Sequence, residues 1–72
     1  MATYNGHRSW AAWNVALWIN NDEPIYREAV RLCAKMKSRG GAARALMVML
    51  PAKTPDGARY TVTSVIEALR GI

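Results

Sequence analysis

Trp10, Trp13 and Trp18 fall within nine residues, in the run Ser9-Trp10-Ala11-Ala12-Trp13-Asn14-Val15-Ala16-Leu17-Trp18. Three indoles on one short segment carry more apolar area than a small domain leaves wet. Either the core is assembled around this segment or a partner covers it. Ser9 is a good N-cap, and the apolar spacing predicts a first helix over about 10–20. On a helical wheel Trp10, Trp13 and Leu17 share one face, while Val15 and Trp18 carry the apolar surface around the cylinder. A helix that is hydrophobic nearly all round belongs at the centre of a bundle or under a partner.

The rest of the chain reads as further helices. Asn20-Asn21-Asp22-Glu23-Pro24 interrupts the pattern, with Asp22 or Glu23 as a cap and Pro24 suited to a first helical turn. The spacing of Ile25, Ala29, Leu32, Cys33 and Met36 predicts an amphipathic helix over 24–39. Gly40-Gly41 is expected to end it, with Lys35, Lys37 and Arg39 in its last turns complementing the helix dipole. A third helix is expected over 42–50, with Ala42, Leu46, Met49 and Leu50 inward and Pro51 as its stop. Thr54-Pro55-Asp56-Gly57 has the composition of a tight turn. Residues 59–62 could be extended, but no partner strand is evident, so no sheet is expected. A fourth helix starts at Thr61, Thr63 or Ser64, with Ser64 and Glu67 matching a capping box and Val62, Val65, Ile66 and Leu69 as its buried side. The expectation is an all-α fold of about four short helices in one domain over 1–72, with 1–8 as a flexible lead-in.

With 72 residues, a chain buries only about 60% of the surface its unfolded form exposes. No apolar run approaches the ~18 residues of a membrane-spanning helix, so none is expected, and Met1 to Arg8 lack the basic-then-apolar layout of a secretion signal. A single cysteine, Cys33, excludes an internal disulfide and fits a reducing compartment.

The residue types for catalysis are sparse. One His (His7) and one Cys cannot furnish a zinc site, which takes about four ligands. Cys33 falls on the apolar stripe of the second helix and reads as a core residue. Asp22 and Glu23 are adjacent at a helix start, where capping accounts for them better than acid–base chemistry. Gly40-Gly41 lacks the lysine and spacing of a phosphate loop. Neither an enzyme nor a cofactor is expected.

Four groups of residues could carry function. Ten Lys/Arg against five Asp/Glu give a net charge of +5, which favours nucleic acid or acidic protein surfaces as partners. Arg27, Arg31 and Lys35, spaced by four, form a cationic ridge continued by Lys37, Arg39 and Arg44, or else a solvated helix face in which Glu28 pairs with Arg31. Trp18 is rotated away from the other indoles and available to an interface. Asn14, between Trp10 and Trp18, must bond to something if buried and reads as a lock for the following loop. Met47 and Val48, on the outer side of the third helix, offer a contact patch or homodimer face, unless another helix covers them. Arg59, Tyr60 and the hydroxyls of Thr61, Thr63 and Ser64 suit phosphate or acidic contacts, or else serve as turn and cap.

The run Trp10-Ala-Ala-Trp13-Asn14-Val15-Ala16-Leu17-Trp18-Ile19-Asn20-Asn21-Asp22-Glu23, followed by Tyr26 and the Thr54-Pro55-Asp56-Gly57 turn, resembles a family of small proteins of tailed bacteriophages and related mobile elements. The resemblance implies a phage gene expressed in the cytoplasm of an infected bacterium, and an accessory protein that binds and inhibits a host machine, for example a CRISPR-type immune complex. Arg27, Arg31, Lys35, Arg39 and Arg44 would steer it to an acidic surface of a host protein or protein–nucleic-acid complex; Trp18, Met47 and Tyr60 would anchor it. Two other readings stand beside this one. One is a basic DNA- or RNA-binding regulator, the other a homo-oligomeric assembly protein. No membrane partner is expected.

Overall fold

The computed structural model describes residues 9–72, and among these the chain is an all-α bundle of four helices with no sheet. The expected lead-in, with His7, lies outside the described residues. Helix α1 spans Trp10–Asn21 and begins where expected: the Ser9 hydroxyl accepts from the Ala12 N–H at 3.1 Å. Asp22 is extended and does double duty. Its N–H closes α1 on the Trp18 carbonyl, and its carboxylate opens α2 (Glu23–Lys35) by accepting from the Ile25 N–H. Pro24 sits in the first turn of α2, where its missing N–H is not needed.

The boundary between the second and third helices differs from expectation. Helix α2 ends at Lys35, and α3 (Arg39–Met47) is capped by Ser38, whose hydroxyl accepts from the Gly41 N–H at 3.0 Å. Gly40-Gly41 therefore belongs to the first turn of α3 rather than to a helix stop. The hydroxyl cap outweighs the helix-breaking tendency of two glycines that need no unusual backbone here. Lys37 and Arg39 consequently leave α2, and Met36 is extended and exposed. Helix α3 also ends three residues before the expected position. Met49 and Leu50 continue in tighter turns, bonding to the carbonyls of Leu46 and Met47, and Met49 is exposed rather than inward.

The connection that follows is a small hairpin. Lys53 and Arg59 form an isolated antiparallel bridge, and Gly57, at φ +95°, bonds its N–H to the Thr54 carbonyl at 2.9 Å. This is the arrangement of three-residue hairpin loops, which require a left-handed residue at their end. Helix α4 spans Val62–Leu69. Its capping box is formed one turn earlier than the expected Ser64–Glu67 pair: Thr61 accepts from the Ser64 N–H, and Ser64 accepts in return from the Thr61 N–H, both at 3.1 Å.

The core is made of Val15 and Ile19 from α1, Ala29 and Leu32 from α2, Ala42, Ala43 and Leu46 from α3, and Val65, Ala68 and Leu69 from α4. The indoles are not at its centre. The fully buried stripe of α1 is Ala12, Val15, Ala16 and Ile19, whereas Trp13 and Trp18 are half-buried and Trp10 is 41% exposed. Alanines at the helix contacts bring the backbones close, and that close packing leaves no room for an indole between them.

Candidate binding surface

Asn14 is 1% exposed, on the side of α1 that faces the 54–58 loop. Its amide nitrogen donates to Asp56 Oδ2 at 2.8 Å, and its amide oxygen accepts from the Thr54 hydroxyl at 2.6 Å. Thr54 Oγ1 in turn accepts from the Ala58 N–H at 3.0 Å. Trp18 Nε1 donates to the same Asp56 oxygen at 2.9 Å. The hydrogen bonds from Asn14 and then Trp18 hold the Asp56 carboxyl below its ordinary pKa. Asn14 is thus a lock, as its burial requires, but for a loop some 40 residues away rather than for the one following α1. Trp18 is tethered through its nitrogen, with part of its ring left accessible.

The cations divide into two groups. Arg27 pairs with Glu23 at 2.9 Å, and Arg31 meets Glu28 through both its Nε and Nη2. The Arg31 contact lowers the Glu28 pKa and is the chief cause of the raised Arg31 value. These two arginines are exposed, but their charge is matched locally. Lys35, Lys37, Arg44 and Lys53 are exposed and form no ion pair among the described residues, and Arg39 Nε donates to the Leu69 carbonyl at the end of α4, at 3.3 Å. No Asp or Glu occurs from residue 29 to residue 55, a stretch that holds six Lys/Arg. Among the described residues, the positive charge without an ion partner therefore lies on the second half of α2, on α3 and the loops around it, and on Arg59 and Arg70, which are also exposed.

The outer face of α3 runs along Gly40, Arg44 and Val48, each one turn from the next. A side chain at Gly40 would meet nothing within 4 Å, Arg44 is exposed, and Val48 is 88% exposed. Met47 packs partly against the core, so Val48 and Met49, rather than Met47, form the apolar end of this face. Tyr60, expected among the surface anchors, is a core residue at 8% exposure, because the hairpin folds it inward. Burial and the charge of Asp22 push its phenol above its ordinary pKa.

The surface also carries depressions, one of about 170 Å³ beside α4 lined by Thr63, Ile66, Glu67 and Arg70. A groove of about 470 Å³ lies between the starts of α1 and α4, with Trp10, Arg59, Thr61 and Thr63 among its walls. A cleft of about 160 Å³ is lined by Trp18, Asp22, Ile25, Pro51, Pro55 and Tyr60. Among the described residues no group of three or more His, Cys, Asp or Glu could hold a metal, and no helix is long and apolar enough to cross a membrane. Cys33 is a free, half-buried thiol packed against the core.

The exposed end of α3 and the lack of carboxylates around it were open to sequence reasoning through composition alone. The inward rotation of Tyr60 was not, because it depends on the hairpin bond between the Tyr60 N–H and the Ala52 carbonyl. No curated protein and no solved structure matches the chain. Its residues 1–69 match the model of a family of unknown function, DUF7249, and the chain belongs to that family.

Proposed function

We propose that this protein is a non-enzymatic accessory protein of bacteriophage origin that acts in the cytoplasm of an infected cell by docking on an acidic surface of a host machine and blocking it. One observation carries the reading: Val48, 88% exposed, stands one turn beyond Arg44 in a stretch without a single carboxylate. An exposed apolar end flanked by unmatched cations complements a protein surface with an apolar pocket and an acidic rim. A phosphate backbone offers nothing to Val48 and Met49, and Arg27 and Arg31 already spend their charge on Glu23 and Glu28. A second copy of the chain is a poorer occupant, because like charges would face each other.

The test is retention of a host protein from nuclease-treated bacterial lysate by the immobilised chain. Arg44→Glu and Val48→Asp, both at exposed positions, should keep the helical circular-dichroism spectrum and lose the retained protein. Retention unchanged in both variants would refute the reading, as would retention of nucleic acid alone before nuclease.

One observation favours a second reading, a nucleic-acid-binding regulator: Trp10 and Arg59 share the larger groove, and an exposed indole beside a guanidinium suits a stacked base and its phosphate. Oligonucleotide affinity that falls steeply with salt and is lost in Trp10→Ala and Arg59→Ala would establish it.

A further inference from the structure

The smaller cleft has a polarity opposite to that of the rest of the surface. It is lined by Trp18, Tyr60, Ile25 and two prolines, and its one charged lining residue is Asp22. No Lys or Arg lines it, on a protein that carries ten. A second carboxylate, Asp56, adjoins the cleft: it follows Pro55 in the chain and holds the Trp18 nitrogen at 2.9 Å. That bond fixes the indole by its edge, and its π-face carries negative potential. We infer that this cleft receives an arginine side chain presented by a partner protein.

The chemistry selects that occupant. A guanidinium stacks on aromatic faces and pairs with a carboxylate in the same pose, which neither an apolar nor an anionic group does. A leucine or phenylalanine would desolvate the Asp22 carboxylate and leave its charge with only the Ile25 N–H as a partner. An anion would be repelled by both carboxylates. At about 160 Å³ the space is below the ~300 Å³ at which drug-sized pockets begin, so it suits one side chain rather than a whole ligand. A basic surface by itself adheres to any acidic one. One cleft that demands a cation in return would set the register of docking.

The experiment uses the full chain labelled with ¹⁵N, titrated with N-acetyl-arginine methylamide and separately with its neutral isostere, the citrulline derivative. The Trp18 indole N–H signal, identified by its absence in Trp18→Phe, should move saturably with arginine and not with citrulline, while the Trp10 and Trp13 signals stay in place. Asp22→Asn keeps an N-cap of equal quality and should weaken the arginine affinity about tenfold, a loss of about 1.4 kcal/mol. A Trp18 signal that does not move to the solubility limit of the ligand overturns the inference. So does an equal response to citrulline, or an affinity unchanged in Asp22→Asn.

Discussion

Asn14 on α1 and Asp56 in the connection between α3 and α4 meet at 2.8 Å although 42 residues separate them in the chain. The position needs an amide. Asn14 donates to the carboxylate with its nitrogen and accepts from the Thr54 hydroxyl with its oxygen, and no carboxylate or hydroxyl of that length does both in these directions. No buried side-chain polar atom among the described residues is left without a partner, so the network is complete as it stands.

Replacing Asn14 by Ala removes the acceptor of Thr54 and the donor to Asp56 at a position 1% exposed. Urea unfolding of Asn14→Ala is expected to show a loss of about 2 kcal/mol, the range for leaving a buried polar group unsatisfied. Asn14→Asp should lose more at neutral pH, because it sets a second carboxylate against Asp56. A loss below the error of the extrapolation would contradict the network.

Acid should open the same contact. The Asp56 carboxyl titrates below its ordinary value of 3.8 because Asn14 and Trp18 donate to its charged form. Its folded pKa is lower than its unfolded one, so its contribution is fully present above pH ~4 and is lost as pH falls through the ordinary value and then the depressed one. Protonation also weakens the bond from the Trp18 nitrogen, which loses a charged acceptor. Stability measured from pH 6 down to pH 2 should fall more steeply in the wild type than in Asp56→Asn; parallel curves would exclude the assignment.

Gly57 and Gly40 should respond to alanine with opposite signs. Gly57 sits at φ +95°, where an L side chain is strained, so Gly57→Ala should destabilise by about 1 kcal/mol. Gly40 lies in the first turn of α3 with nothing within 4 Å of an added Cβ. Gly40→Ala should raise stability by about 0.5–1 kcal/mol through helix propensity and reduced freedom of the unfolded chain. Thermal melts of the two variants decide both signs. If the Gly40→Ala protein is more stable yet retains less of its host partner, the missing side chain serves the outer face of α3.

Local chemistry was legible in the sequence. Ser9, the Asp22–Pro24 junction and the Pro55–Gly57 turn lie where cap and turn rules place them, and Glu28 pairs with Arg31 as i,i+3 spacing permits. The boundary of α3 was misread where two local signals compete, glycine against a hydroxyl cap three residues before Gly41. On α1 the indoles dominate any count of apolar area, while close helix packing selects Ala12 and Ala16 for the core. The binding surface was half legible. Its charge follows from composition, but the inward position of Tyr60 and the bond from Trp18 to Asp56 depend on a chain reversal far along the sequence.

The side-chain clip from Asn14 has a consequence for how the molecule opens. The 54–58 hairpin closes on its own backbone bonds, Thr54 N–H to the Ala58 carbonyl at 2.7 Å and Gly57 N–H to the Thr54 carbonyl at 2.9 Å, and the side chains of Asn14 and Trp18 tie it to a helix far away in the chain. Loosening the first helix removes that tie from the last connection, and the amide hydrogens of the two are expected to exchange as one cooperative unit instead of fraying separately.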